Sequence, residues 1–483
     1  MRAVRVLVLV VLCAIAAGCG VSSSGPAGSD DPAALVPASA PLYAEAALQS
    51  GDVRDHAEAA LRKVLRTTDV DAWLGDEAGA AVTSLRGKHD VDYVVVVASR
   101  DDAKAADALS HAPGADVTRA YKGVDYRFSR QAGTAAAVVD HHVVVGTENG
   151  LKSSIDASKG DSLAGAEGLR AVRANVARDR VGLFYADTRA LVQAIAQGAS
   201  NQQVGLLLQA ASGAAPKAVG GALLALPGQL RVDAVSIGTP MPAGTGRSGA
   251  AALAALPADS WLGLGVADLG RTLDGVVDTL TKTSGLSAIG VNAALGQFRQ
   301  QTGLDLRRDV LSWMGDAGVY VAGTSARDLR GALVVKTRDP TATKRAVAAL
   351  ARLAGQSAGA RVTPSRAGGF TIRRASGPAV RVAVTGDKLV VGVGPRRVIA
   401  EASAPARTLA SAPTFTAAAA KLGLQPSFFL DVPQVVTLLE RVAGSDARFQ
   451  KARPYLDSVA AVVAGAKAEG GGVTRARIVA TLR

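Results

Sequence analysis

The sequence predicts an α+β fold of two tandem like modules, each a mainly antiparallel sheet with helices packed on one face. Three observations predict it. Short apolar or alternating runs end in Gly, Pro and Asp turns, with helix-spaced segments set between them. A series of landmarks in the first half returns in the same order in the second. Between the halves, Gly238 to Gly249 breaks every period and marks residues 238–252 as a linker.

Ahead of the first module, Arg2 and Arg5 precede an unbroken apolar run from Val6 to Ala17, which leads through Gly18 to Cys19. At about 12 residues the run has the length of a signal h-region; a spanning helix needs about 20. Small residues leading directly into a cysteine resemble the lipobox of bacterial lipoproteins, with Ala16 where that pattern usually has Leu. The resemblance implies a signal peptide over residues 1–18 and lipidation of the Cys19 thiol. A plain secretory signal, with Cys19 an ordinary thiol, is the alternative. Cys13 leaves with either leader, so Cys19 is the one cysteine of the mature chain and no intramolecular disulfide can form. Residues 19–34, rich in Gly, Ser and Pro, read as a flexible tether.

The first module is expected over residues 35–237. Leu42 to Leu48 has the look of a strand. Asp52 to Leu65 spaces its apolar residues as a helix does, with Asp at its start and basic residues at its end. Strands are expected at Ala78 to Ser84 and Tyr93 to Ala98, the second continuous enough for burial on both faces. A helix opened by aspartates follows from Asp101 to Leu109. Thr118 to Ser129 and Ala135 to Thr147 alternate with turn signals as antiparallel strands do. Helices near Gly150 to Ser158 and Leu169 to Ala177, a strand at Gly182 to Tyr185, a helix from Asp187 to Ile195 and a hairpin from Ala218 to Ile237 complete it.

The second module, residues 253–483, repeats these landmarks. Val36-Pro37-Ala38 matches Leu256-Pro257-Ala258, and Trp73-Leu74-Gly75-Asp76 matches Trp313-Met314-Gly315-Asp316. Arg100-Asp101 matches Arg338-Asp339, Asp140 to Gly146 matches Asp387 to Gly392, and Leu183 to Asp187 matches Ser427 to Asp431. The closing hairpin recurs at Ser458 to Leu482. Pro37 and Gly75 are 38 positions apart and Pro257 and Gly315 are 58 apart, so the second copy carries 20 more residues, expected in a helical region from Thr272 to Phe298.

With these elements placed, the chain resembles a family of bacterial secreted and lipidated proteins, the domain-of-unknown-function family 3352. The residues that carry the resemblance are Leu35 to Tyr43 (LVPASAPLY), Thr302 to Val310 (TGLDLRRDV) ahead of Trp313, and the pairs Gly75-Asp76 and Gly315-Asp316. It spans the chain after the tether and implies no activity, cofactor or catalytic residue.

The formal charge of +13 loses Arg2 and Arg5 with the leader, leaving +11. Lys and Arg are scattered, with no run of five, which reads as a solvated basic surface. Aromatics at 4 % and an extracytoplasmic location argue against nucleic acid as a partner. Attraction to an anionic envelope polymer or lipid stays open.

Histidines are five: His56, His89, His111, His141 and His142. The adjacent pair would point to opposite sides of an extended chain, and Lys388 stands at the matching place in the second copy, so no metal site is expected. Asp76-Glu77 and Asp316 read as turn residues rather than an acid–base pair, because the second copy keeps one acid. Asp187 and Asp431 sit where N-caps belong. Gly392-Val393-Gly394 lacks the third glycine of a phosphate loop, and Gly246 to Ala250 lies in the linker with no strand before it. No catalytic residue and no cofactor is expected, and no ligand-binding residue can be named.

Two function classes remain. One is a membrane-anchored, non-enzymatic lipoprotein that binds or scaffolds at the cell envelope, held to membrane lipid through acylated Cys19. Its variant holds an apolar ligand near Val204 to Ala211 or Val432 to Leu439, although such stripes are more often core. The other is an envelope-polymer hydrolase with carboxylates that sequence alone does not pair.

Overall fold

The structure is a computed structural model of the 483-residue chain. It describes residues 31–48, 51–65, 69–85, 91–111, 117–197, 215–238, 248–282, 286–325, 327–356, 360–365, 368–374 and 377–483. Cys19, His89, Val204 to Ala211 and Gly246-Arg247 lie outside these residues. The chain divides into two compact units, Met1–Pro240 with Gly470–Arg475, and Met241–Glu469 with Ala476–Arg483.

The first unit contains strands β1 (Leu42–Ala47), β2 (Leu74–Leu85), β3 (Val91–Ser99), β4 (Val117–Tyr121), β5 (Val124–Ser129), β6 (Thr134–Val139), β7 (His142–Thr147), β8 (Gly182–Asp187), β9 (Ala218–Leu226) and β10 (Gln229–Ile237). Helices α1 (Asp52–Leu65), α2 (Asp102–Ser110), α3 (Glu148–Ser158), α4 (Glu167–Asn175) and α5 (Thr188–Gln197) lie between them. The described strands pair antiparallel in the order β4-β5-β6-β7-β3-β2-β1-β8-β9-β10.

The second unit contains α6 (Ala250–Ala254), β11 (Ser260–Val266), α7 (Leu269–Lys282), α8 (Leu286–Thr302), β12 (Met314–Ala322), β13 (Arg330–Thr337) and α9 (Pro340–Gly355). These are followed by β14 (Ala360–Ser365), β15 (Gly369–Arg374), β16 (Val380–Thr385), β17 (Lys388–Val393), α10 (Val398–Ser403), α11 (Pro413–Leu422) and β18 (Phe428–Asp431). Helices α12 (Val432–Ala443) and α13 (Ala447–Asp457) then precede β19 (Val459–Ala468) and β20 (Val473–Leu482), the first three residues of which are counted with the first unit. Its strands take the order β14-β15-β16-β17-β13-β12-β11-β18-β19-β20, position for position that of the first unit. The α+β class expected from the sequence is the class observed.

Helices cover both faces of the strands in each unit, not one. On β6, Ala135, Ala137 and Val139 join a core with Leu151 and Ile155 of α3, while Ala136 and Val138 face a second core with Leu109 of α2 and Trp73. In the second unit, Val390 packs with Val398 and Ala402 of α10, and Leu389 with Ala346 and Val347 of α9. The cause is visible in β3: Val94 and Val96 are apolar on one side and Val95 and Val97 on the other, so both sides must leave water.

Two boundaries move. Residues 32–34, assigned above to the tether, belong to a 3-10 turn, Pro32–Leu35, in which Ala33 and Leu35 are buried. Residues 250–252, assigned to the linker, are helical, and Leu253 beside them is fully buried. Both are short apolar segments whose partners lie far along the chain. The helical region expected from Thr272 to Phe298 is present as α7 and α8, where the first unit has α1.

Candidate functional site at Asp31

Asp31 is where the described chain begins, and it is clamped. Its Oδ1 accepts from the Ala33 amide at 3.0 Å, capping the turn that carries Leu35 into the core. The Leu35 carbonyl in turn accepts from the buried Ser154 hydroxyl at 2.5 Å, and Leu163 N donates to Val36 O at 2.7 Å.

Arg173, in the last turn of α4, grips the same carboxylate. Leu169 and Val172 bury one side of that helix, which brings Arg173 over the edge of the packed face. Its Nη1 lies 2.7 Å from Asp31 Oδ2 and its Nη2 lies 3.0 Å from Oδ1, a bidentate fork. Nη2 also reaches Glu45 Oε2 at 2.5 Å, and Arg180 Nη2 donates to Glu45 Oε1 at 2.8 Å. Strand alternation puts Tyr43 on the same side as Glu45, and its hydroxyl donates to Glu45 Oε2 at 3.0 Å.

Burial works to raise the Asp31 pKa, but the hydrogen bonds and charge of Arg173 outweigh it and hold the carboxyl below its usual value. Burial, with the Glu45 carboxylate beside it, pushes the Tyr43 phenol up. The cluster therefore brings two carboxylates together, yet Asp31 is held ionised. A general acid at neutral pH needs the opposite shift. The chemistry here is fastening.

The second unit has no such clamp at the equivalent positions. Glu45 faces Gly79, and Gly265 faces Gly318 one place beyond the matching bulge, so Gly265 stands where Glu45 does. Matching Leu169 and Val172 with Phe415 and Ala418 puts Ala419 in the place of Arg173. The fastening belongs to the first unit. No sequence signal joins its members, which are 142 and 128 residues apart.

His141 is the second residue of a two-residue turn, with φ of 44° at Asp140 and 59° at His141, and its Nδ1 lies 2.8 Å from Asp102 Oδ2. His142 is buried, with Nδ1 2.7 Å from Asp140 O, so the pair does not converge. Lys388, at the matching register position, donates to Ser403 O at 2.6 Å. No group of three or more His, Cys, Asp or Glu side chains among the described residues could hold a metal ion.

Gly75-Asp76 and Gly315-Asp316 lie inside β2 and β12, at bulges between Leu74 and Ala78 and between Met314 and Ala317, rather than in turns before the strands. Asp76 accepts from Arg100, and Asp316 Oδ1 accepts from Asp268 N at 2.9 Å. Asp187 and Asp431 are N-caps, bonded to Ala190 N at 2.9 Å and Gln434 N at 3.2 Å. The Thr302 to Val310 motif builds a π-helical turn: Asp305 N donates to Asp309 at 2.8 Å, Arg308 N donates to Asp305 at 3.0 Å, and the Trp313 indole donates to Asp309 O at 2.9 Å. Val432 and Val436 of α12 pack with Phe449, so that apolar stripe is core.

No helix among the described residues is long and apolar enough to cross a membrane. The model of a family described as a protein of unknown function, DUF3352, matches residues 66–480, which leaves Leu35 to Tyr43 outside the match. No curated protein matches the chain. Among solved structures, crystal form III of TP0453 is similar at 10 % identity and a TM-score of 0.20, over 77 % of this chain and 97 % of that one. Crystal form IV gives 9 % and 0.18, over 77 % and 95 %. At these scores the likeness carries no argument about fold or function.

Proposed function

Since the chain belongs to the DUF3352 family, whose function is unknown, we propose a role for it from its own residues: a lipid-anchored extracytoplasmic protein that binds or scaffolds at the cell envelope without catalysis. The observation that carries this is the N-terminal stretch, a basic n-region, an apolar run of signal length and small residues closing on Cys19. The clamp at Asp31 supports it. Eleven residues lie between Cys19 and Asp31, and the coil expected of them from the sequence spans roughly 20 Å, so an acylated Cys19 would keep the folded body near the bilayer. A pull on that coil ends at a bidentate Arg–carboxylate pair and a buried turn rather than at a strand edge.

Intact mass spectrometry of the protein extracted from bacterial membranes tests the anchor. The expected mass is that of residues 19–483 with diacylglycerol on Cys19, and Cys19→Ala is expected to carry no lipid. A membrane-extracted wild type with an unmodified Cys19 would end the proposal.

A further inference from the structure

In β14 to β16 the register gathers arginines that are far apart in the chain. Arg361 on β14 stands directly opposite Arg373 on β15. Arg381 on β16 stands opposite Thr371, two residues from Arg373 and on its side of the sheet. Arg396 follows just beyond β17, and its charge, like that of Arg373, bears on Arg381. The alternate residues Val362, Phe370, Ile372 and Val382 point the other way, into the core under α9. Arg361, Arg373 and Arg396 are exposed.

Like charges directly opposite each other on neighbouring strands destabilise a sheet. Among the described residues, no carboxylate forms an ion pair with Arg361, Arg373, Arg381 or Arg396. Arg381 donates instead to the Gly394 carbonyl at 2.5 Å. Burial first, then Arg373 and Arg396, lowers its pKa.

The first unit shows how the same face is neutralised. There Arg119 on β4 lies 2.8 Å from Glu148, Lys152 lies 3.0 Å from Glu148, and Lys122 lies 2.6 Å from Asp156, both carboxylates being supplied by the 11-residue α3. In the second unit the helix at that place, α10, has six residues, and its Glu401 pairs with Arg330 at 2.7 Å and Arg397 at 3.0 Å. The shorter helix leaves the arginine face without its counter-charge.

We propose that this face, Arg361, Arg373, Arg381 and Arg396, binds the phosphate headgroups of an anionic phospholipid surface. Guanidinium groups gathered on one face of the sheet suit a plane of phosphates, each group offering a planar fork of donors. The choice of a lipid surface over a soluble polymer rests on the membrane anchor proposed above, which would hold such phosphates at high local concentration.

The test uses the mature chain, residues 19–483, with Cys19→Ala, so that no acyl group contributes. Sedimentation with phosphatidylglycerol-containing vesicles is expected to pellet it at low salt and to fail at high salt, with no binding to phosphatidylcholine alone. Each arginine near an anionic surface is worth about fivefold, so Arg361→Gln/Arg373→Gln/Arg381→Gln is expected to bind roughly a hundredfold more weakly. The exposed pair alone, Arg361→Gln/Arg373→Gln, should lose about 25-fold and keep or raise the thermal midpoint, because a like-charge pair is removed. Wild-type affinity in either folded variant overturns the proposal. So does binding to inorganic polyphosphate with none to the vesicles. Neither result touches the state of Cys19, which the mass measurement reads separately.

Discussion

Arg173 pairs with two carboxylates at once; its removal would leave Asp31 without a cation, while Glu45 would keep Arg180 and the Tyr43 hydroxyl. Side-chain exposure is 15 % for Asp31 and 14 % for Glu45, so water replaces the guanidinium poorly. Arg173→Ala is expected to cost about 2 kcal/mol, below the 3–5 kcal/mol of a fully buried pair, as a fall in urea midpoint. Arg173→Lys keeps the charge but loses the fork and should lie between. The pH dependence follows from Asp31. Its folded pKa lies below the usual aspartate value of about 3.9, so its contribution is fully present above that value and disappears as pH falls through the folded pKa. The difference in stability between wild type and Asp31→Asn should therefore shrink on acidification below about pH 4, and a difference that grew there would contradict the clamp. This cluster is not legible in the sequence because Arg173 stands 142 residues from Asp31 and 128 from Glu45; only the fold brings them together.

At the scale of elements, local chemistry was legible and long-range packing was not. Asp52 to Leu65 was readable as a helix because its apolar spacing and end charges are local, and so were the caps at Asp187 and Asp431. The bulges at Gly75-Asp76 and Gly315-Asp316 were misread as turns, since Gly-Asp suits either and the deciding contact comes from the neighbouring strand. A Cβ on Gly75 would lie 2.7 Å from the Ala98 carbonyl oxygen and 2.8 Å from Ala98 Cβ, both parts of β3. Gly75→Ala should therefore push β2 from β3 and cost about 2 kcal/mol. Gly296, inside α8, has open space around the same added atom. Gly296→Ala should raise stability by about 0.7 kcal/mol through helix propensity alone. Parallel urea titrations of the two variants separate a glycine required by contact from one that is merely permitted.

At the scale of the whole chain, two units with one strand order differ most in how their charges are answered. The first carries the Arg173 clamp and answers its basic side chains with Glu148 and Asp156, Glu148 being pulled to about 2 by the Tyr126 hydroxyl, then by Lys152 and Arg119. The second has Gly265 and Ala419 where the clamp would be and leaves Arg361 and Arg373 exposed, with Arg381 half-buried beside them. The sequence showed the basic excess but not its concentration, because these arginines are separated by 12 and 8 positions and meet only through strand register. Acyl chains and a basic face are additive modes of membrane attachment with different sensitivities, since salt screens one and leaves the other intact. In washed bacterial membranes, wild type should therefore stay bound through high salt and leave only with detergent. The triple arginine variant with Cys19 intact should behave the same way, its weaker headgroup contact masked by the lipid. Adding purified mature Cys19→Ala chain to the same membranes should give binding that high salt reverses. Release of wild type by salt alone would show that the arginine face, and not the acyl group, is what holds this protein at the membrane.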